Sequence, residues 1–83
     1  MNRNKFEEKL YIVISELFGV KIEDIHLNSS FEIDFHADSL DGVELVMEIE
    51  DKFNIKIEDK DASNFLTVRN IVNYLEKNLD ESV

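Results

Sequence analysis

The side chains of this chain that could do chemistry are a serine among acidic residues and two histidines. Ser39 directly follows Asp38, and Asp41 comes two positions later. A serine in this setting could cap a helix, or its hydroxyl could carry a covalently attached group. His26 and His36 lack the tight spacing of zinc ligands, and the absence of cysteine excludes disulfides and thiolate metal sites. We therefore predict no metal site and no catalytic residue.

The acidity and the Asp38-x-x-Asp41-Gly42 pattern raise the alternative of a calcium loop. An EF-hand loop has glycine at position 6 and carboxylates at positions 1 and 12. Gly42 at position 6 would put Glu48 at position 12 but Ala37 at position 1, so the first ligand is missing. The sequence excludes a true EF-hand and leaves only weak binding of cations to an acidic face.

The charge is strongly one-sided. The net charge is −10, and between Lys21 and Lys52 there are ten Asp or Glu residues and no Lys or Arg. Nucleic acid and anionic lipid would be repelled, so we expect no nucleic-acid partner and no membrane insertion. Because apolar residues interrupt the acidic block, it is too apolar for disorder. We expect an ordered acidic surface that binds basic proteins or cations.

The chain has 83 residues, which suits one domain, and we predict a single domain over residues 1–83. One thin core leaves no second lobe to close over a substrate, so we expect a monomer without catalytic activity. No segment approaches the roughly 20 apolar residues of a membrane span, and the first residues do not resemble a secretory signal. A cytoplasmic location is expected.

Hydrophobic periodicity predicts an all-α fold, a small four-helix bundle with three longer helices and one short helix. Gly19 is expected to end the first helix, Asp38 or Ser39 to cap the second, and Thr67 to cap the last. Ile55 and Ile57 alternate as in a strand, but no partner strand is evident. The predicted helices lie at about 4–18, 38–53, 59–64 and 68–79, with a long structured loop at 20–37.

The second helix has two apolar stripes. Leu45, Val46, Ile49 and Phe53 form one stripe, and Leu40, Val43 and Met47 form another, displaced around the helix axis. One stripe is enough to pack a helix on a small core. The second stripe therefore predicts a contact outside the core. The residues predicted to form the core are Phe31, Leu45, Val46, Leu66, Val68, Ile71 and Leu75.

The segment from Ala37 to Glu48 resembles the discrete acyl carrier proteins of bacterial and organellar type II fatty acid synthesis. The matching residues are Ala37-Asp38-Ser39-Leu40-Asp41 and Val43-Glu44-Leu45-Val46-Met47-Glu48, and the resemblance extends from about Phe6 to Leu79. It implies that a separate holo-carrier synthase, a phosphopantetheinyl transferase, attaches 4′-phosphopantetheine from coenzyme A to Ser39. The arm would carry acyl intermediates as thioesters to acyltransferases, ketosynthases and other enzymes of fatty acid biosynthesis.

The resemblance also implies a recognition surface on the second helix, formed by acidic residues around the outer apolar stripe. Basic patches on partner enzymes would bind it weakly and in a salt-sensitive way. The residues expected to bind partners are Asp38, Leu40, Asp41, Val43, Glu44, Met47 and Asp51, within an acidic set that also contains Glu48 and Glu50. Some core residues are expected to line a cavity that shelters the acyl chain.

Three positions depart from the family pattern. His36 stands where glycine is usual, Gly42 where threonine or serine is common, and Glu58 where proline is frequent. These differences leave open a specialised carrier of a polyketide, peptidyl or other pathway. An alternative from another class is an acidic adaptor bundle that is never modified, in which Ser39 only contributes to a helix cap.

Overall fold

The computed structural model describes residues 5–79, and these residues form four helices, three long and one short. The helices are α1 (Lys5–Phe18), α2 (Ser39–Phe53), α3 (Asp59–Ala62) and α4 (Val68–Asn78), with a single 3₁₀ turn at Ile22–Asp24. The predicted all-α bundle is confirmed. Position 4, where the first helix was predicted to begin, and the two ends of the predicted 1–83 domain lie outside the described residues.

Helix α1 ends where the sequence predicts. Gly19 has φ 69°, a left-handed conformation that glycine adopts without steric cost, and its N–H donates to the Ser15 carbonyl at 2.9 Å. The buried face of the helix includes Leu10 and Ile14, both fully buried. The helix thus presents one apolar stripe to the core and stops at a glycine cap.

The segment between α1 and α2 is ordered by contacts with α4. Asn28 Oδ1 accepts hydrogen bonds from two guanidinium nitrogens of Arg69, at 3.2 and 3.1 Å. The Ser29 hydroxyl, in a buried residue, accepts the His26 N–H at 2.9 Å. Within residues 5–79 there is no strand, and one isolated antiparallel bridge joins Ser30 to Thr67. A structured loop was predicted here, but its 3₁₀ turn was not.

The core confirms most of the predicted interior and corrects one residue. Val46 is partly buried, but Leu66 is 67 % exposed, so its assignment to the core was wrong. Phe65 packs on the core instead, and the chain turns tightly there, with the Leu66 N–H donating to the Asn64 carbonyl at 3.0 Å. The other predicted core residues, Phe31, Leu45, Val68, Ile71 and Leu75, are buried.

The segment after α2 contains the alternating Ile55 and Ile57 but does not form a strand. Asn54 ends α2 in a left-handed conformation with φ 55°. The Glu50 carboxylate then accepts the backbone N–H of Ile57 at 2.7 Å, and the Ile57 side chain is buried. The chain therefore turns back toward α3 with Ile57 inserted in the core. No helix in the described part of the chain is long and apolar enough to cross a membrane.

Candidate functional site

Ser39 is the first residue of α2, and its side chain is exposed. The residue before it, Asp38, has extended backbone angles (φ −109°, ψ −170°) and is the N-cap. The sequence left the cap open between these two residues, and the structure assigns it to Asp38. Among residues 5–79 no partner binds the Ser39 hydroxyl. That hydroxyl is therefore accessible and has no structural role in the cap.

A capping box fixes the backbone around Ser39. The Asp41 N–H donates to the Asp38 carboxylate at 2.9 Å, and the Asp38 N–H donates to the Asp41 carboxylate at 3.0 Å. The Gly42 N–H then donates to the Asp38 carbonyl at 3.0 Å, which begins the helix. Two carboxylates thus satisfy each other's backbone donors. Ser39 is held at a defined place between them.

The first two backbone donors of α2 remain available. In the described range, no acceptor takes the N–H of Ser39 or of Leu40. These groups lie at the end of a helix of 15 residues, where the aligned peptide dipoles favour negative charge. An anion attached to the Ser39 hydroxyl would therefore lie next to unused N–H donors.

An apolar cavity of about 330 Å³ opens beside Ser39. Ser39, Gly42, Val43 and Met47, all exposed, lie at its mouth, and the buried Leu45 lies at its inner part. Such a cavity can take up an apolar chain that starts near the serine. The remaining lining residues are Phe18, Phe31, Ala37, Val46, Asp59, Ala62, Ser63 and Phe65.

The second apolar stripe of α2 faces solvent. Leu40 is 74 % exposed, Val43 56 % and Met47 61 %. Three large apolar side chains on one helix face, beside the exposed carboxylates of Glu44 and Asp51, form a surface suited to a partner. The sequence prediction that this stripe does not serve the core is confirmed.

Not every acidic residue assigned to that surface contributes a free carboxylate. Glu50 is partly buried and binds the Ile57 N–H at 2.7 Å, so it holds the end of α2. Asp41 is partly exposed, and one of its carboxylate oxygens is used in the capping box. Asp38, Glu44, Glu48 and Asp51 are exposed, and of these Asp38 also uses one carboxylate oxygen in the capping box.

The electrostatic environment near α3 is negative although lysines occur there. Burial, and then the nearby carboxylates of Asp61, Glu58 and Glu50, raise the pKa of Tyr74. Lys60 lies 3.9 Å from Glu58, and both side chains are largely exposed. Because an exposed ion pair is screened by water, Lys60 changes the local field little. The acidic character therefore continues from α2 to α3.

Sequence reasoning missed the contribution of α1 and of the segment before α4 to the cavity. Phe18 and Phe65 lie 47 positions apart in the sequence and line the same cavity. Phe18 ends α1 and Phe65 lies between α3 and α4, so no local pattern signals that the two residues meet. No group of three or more potential metal ligands occurs in residues 5–79.

The start of α2 fits a phosphate-linked prosthetic group. It combines an accessible hydroxyl, two free N–H donors and an adjoining apolar cavity. These features define a carrier domain, a protein that holds a cargo on an attached arm. The family profile described as a phosphopantetheine attachment site matches residues 8–75.

Two relatives place the chain more closely. It is 44 % identical over 72 residues to the acyl carrier protein of Buchnera aphidicola subsp. Schizaphis graminum, with 87 % of this chain and 91 % of that protein covered. It is 44 % identical over 70 residues to the acyl carrier protein of Phaeodactylum tricornutum, with 84 % of this chain and 92 % of that protein covered. The chain belongs to the acyl carrier protein family, and its cofactor is covalent 4′-phosphopantetheine. Neither relative favours an unmodified adaptor bundle.

Proposed function

We propose that Ser39 is the attachment residue for 4′-phosphopantetheine and that the chain carries acyl intermediates to enzymes of fatty acid biosynthesis. The observation that carries this proposal is the exposed, unbound hydroxyl at the first position of α2, within the matched range 8–75. Among the four serines that follow the first helix within residues 5–79, Ser39 alone directly follows a helix N-cap, Asp38. The arm supplies a terminal thiol that holds the acyl group as a thioester.

The protein's own residues would position the arm. The N–H groups of Ser39 and Leu40 are free to donate to a phosphodiester oxygen, and the α2 dipole favours its negative charge. Asp38 and Asp41 hold the backbone through the capping box, so the hydroxyl stays at one place. The apolar cavity excludes water from the part of an acyl chain that enters it.

The partners are a phosphopantetheinyl transferase, acyltransferases, ketosynthases and other fatty acid synthesis enzymes, which bind through basic patches. Supporting this, α2 presents exposed apolar and acidic side chains from Leu40 to Asp51, a length of about 16 Å along the helix axis. Charge complementarity mainly speeds encounter and rejects wrong partners, which suits a carrier that must leave each enzyme again. The proposed contact residues are Asp38, Leu40, Asp41, Val43, Glu44, Met47 and Asp51.

The chain is further proposed to act as one carrier domain over residues 1–83, as a cytoplasmic monomer without catalytic activity. The described helices share one core cluster, which supports a single unit. All chemistry at the cargo would then belong to the partner enzymes.

Intact mass tests the assignment of Ser39. After incubation with coenzyme A, Mg²⁺ and a phosphopantetheinyl transferase, the protein should gain about 340 Da, the mass of the attached arm. Ser39→Ala should gain nothing. Ser63→Ala is the matched control, because Ser63 lines the same cavity and should leave loading intact. A folded wild-type protein that stays unmodified, or a Ser39→Ala variant that is still loaded, would contradict the proposal.

A further inference from the structure

His36 is the residue at which the chain passes from the long loop to the start of α2. Phe35 before it lines a second cavity of about 500 Å³ on the loop side, and Ala37 after it lines the cavity beside Ser39. The Ala37 N–H donates to the Phe31 carbonyl at 2.8 Å, and the capping box of α2 follows directly. The backbone between His36 and Ser39 is therefore held in place.

The backbone of His36 is strained, and its side chain makes no polar contact that offsets the strain. Its φ of 59° is costly for a residue with a Cβ and free of cost for glycine. The imidazole is exposed and forms no hydrogen bond or ion pair with any of residues 5–79. Strained residues of this kind cluster at functional sites. The His36 ring has no polar partner in the fold and is available to the neighbouring site.

His36 is close enough to Ser39 for the two side chains to meet at one attached group. Three residue steps separate them, so their Cα atoms are at most about 11 Å apart. Both side chains are exposed, and at physiological salt a charge acts over about 8 Å. A protonated imidazole at position 36 and an anion on the Ser39 hydroxyl are thus within interaction range.

Ser39 lies in a segment with many anions and few possible cations. Between Lys21 and Lys52 there are ten carboxylates and no Lys or Arg, so His26 and His36 are the only side chains there that can become positive. His26 lies 13 positions before Ser39 and lines the loop cavity. A phosphodiester on Ser39 would add a further negative charge. His36 is the side chain of this segment that is placed to offer it an opposite charge.

The charged groups around His36 do not bind its ring. Asp34 accepts the Ser30 N–H at 2.6 Å, and Asp38 and Asp41 bind each other's N–H groups in the capping box. The other charged residues of the surrounding elements are Glu32 in the loop, Asp59 in α3 and Arg69 in α4, whose guanidinium is bound to Asn28. Among residues 5–79 none of these groups forms an ion pair with His36.

We propose that His36 is a positioning residue for the arm: the protonated imidazole donates a hydrogen bond to the phosphodiester on Ser39 and, with the free N–H groups of Ser39 and Leu40, holds the first atoms of the arm at the start of α2. This inference rests on the proposed attachment at Ser39. Because histidine gains its positive charge as the pH falls from about 8 to 5, the hold strengthens in that direction. An exposed ion pair is weak, so the arm remains free to leave for a partner enzyme.

The test is the ³¹P NMR chemical shift of the arm in the full, loaded chain, measured between about pH 5 and 8. A phosphodiester has no ionisation of its own in this range, because it lacks the second acidic proton of a phosphate monoester. Any pH dependence of the signal therefore reports a neighbouring group. In the wild type the shift should follow one sigmoidal curve. A flat wild-type curve, with circular dichroism showing a folded protein throughout, would overturn the proposal.

A matched pair of variants identifies the neighbouring group. His36→Asn removes the charge and places a residue that tolerates the left-handed conformation, and His26→Asn makes the same change at the other histidine of the acidic segment. His36→Asn should lose the pH dependence, and His26→Asn should keep the wild-type curve. A curve that persists in His36→Asn, or that disappears in His26→Asn, would rule out the role of His36.

Failure of this inference differs from failure of the proposed function. If Ser39 is not the attachment residue, the protein gains no mass at that position and shows no arm phosphorus signal. If the signal is present and Ser39→Ala abolishes it, the attachment stands, and a flat curve then refutes only the role of His36. The wild-type measurement needs no histidine variant, so a substitution that prevents folding does not block the test.

Discussion

Two helices of this protein begin with the same hydrogen-bond arrangement and differ in what surrounds it. In α2, Asp38 and Asp41 form a capping box, and in α4, Thr67 and Asn70 form another. Both boxes satisfy the backbone donors of the cap and of the third helical residue. From the cap sequences alone, either helix start could be functional or structural.

The difference lies in the first two N–H groups. In α4 the N–H of Val68 donates to the Ser29 carbonyl at 3.1 Å, and the N–H of Arg69 donates to the Leu27 carbonyl at 2.8 Å. The equivalent groups of α2 have no acceptor among the residues described. One helix start is thus closed by the protein's own loop and the other is open to an anion. The free donors, rather than the cap, distinguish the proposed attachment site.

The largest expected difference concerns the first apolar residue after each cap, Val68 in α4 and Leu40 in α2. Val68 is fully buried, whereas Leu40 is 74 % exposed. Val68→Ala should lower the free energy of unfolding by about 2 kcal/mol, through lost burial and a new cavity. Leu40→Ala should change it by less than about 0.5 kcal/mol, because surface substitutions have small effects. Urea denaturation of the unmodified protein measures both.

Partner binding should show the reverse order. Leu40→Ala removes an exposed apolar contact next to Ser39 and should weaken transferase binding by about 1 kcal/mol, roughly fivefold. Val68→Ala should leave binding unchanged under conditions where the variant is folded. If Leu40→Ala is the more destabilised protein, or binds the transferase normally, the contrast between the two helix starts is wrong.

A smaller effect separates capping from charge. Thr67→Ala removes a cap and should cost about 1 kcal/mol of stability. Asp38→Asn keeps a capping oxygen and should change stability by less than about 0.5 kcal/mol, because Asn and Asp cap equally well. The Asp38→Asn substitution removes one negative charge beside Ser39. The association rate with a basic transferase should therefore fall and depend less on the salt concentration. Stopped-flow binding at two salt concentrations, with urea denaturation, separates the two roles.

The sequence predicted much of this contrast and missed its cause. Helical periodicity and cap residues located α2 and α4, and the outer stripe of α2 predicted a surface outside the core. The carbonyls that close α4 come from Leu27 and Ser29, about 40 positions earlier, in a loop without regular periodicity. No local pattern predicts such a long-range contact, and the same limitation concealed the meeting of Phe18 and Phe65 at the cavity beside Ser39.

Leu66 shows a second limit. Its apolar type favoured the core, yet its side chain is exposed and only its backbone carbonyl contacts the loop, by accepting the Phe31 N–H at 3.1 Å. Where a short segment has neither helical nor strand periodicity, residue type alone does not determine which side faces inward. Glu50 is the polar counterpart, because its residue type favoured the open surface. Its carboxylate instead accepts the N–H of Ile57, seven residues later in the chain.

The first turn of α2 is also less stable than it could be. Gly42 lies inside the helix, and a Cβ built there meets nothing within 4 Å. Gly42→Ala should therefore raise the free energy of unfolding by about 0.5–1 kcal/mol. Thermal denaturation of the unmodified protein measures this gain. A loss of stability would show that α2 needs the backbone freedom of glycine beside the cavity mouth.

The smallest effect concerns the residue that leads into α2. His36 has φ 59°, a left-handed conformation that costs roughly 1–2 kcal/mol for a residue with a Cβ. His36→Gly removes this cost. Glycine also gives the unfolded chain more conformational entropy, which lowers the free energy of unfolding by about 0.4–1 kcal/mol. The net result should be a gain of about 0.5 kcal/mol. Asn54→Gly is the matched control, because Asn54 has φ 55° and asparagine tolerates this conformation better, so its gain should be near zero.

Urea denaturation of both variants beside the wild type would measure this difference, and the loading rate at Ser39 would show whether the approach to α2 also matters for the transferase. The exposed His36 side chain makes no hydrogen bond or ion pair with any of residues 5–79, so its removal should cost no such contact. A destabilised His36→Gly variant would show that the imidazole, rather than the backbone, holds the entrance to α2. In that case a side chain would support the start of α2, just as the loop carbonyls support the start of α4.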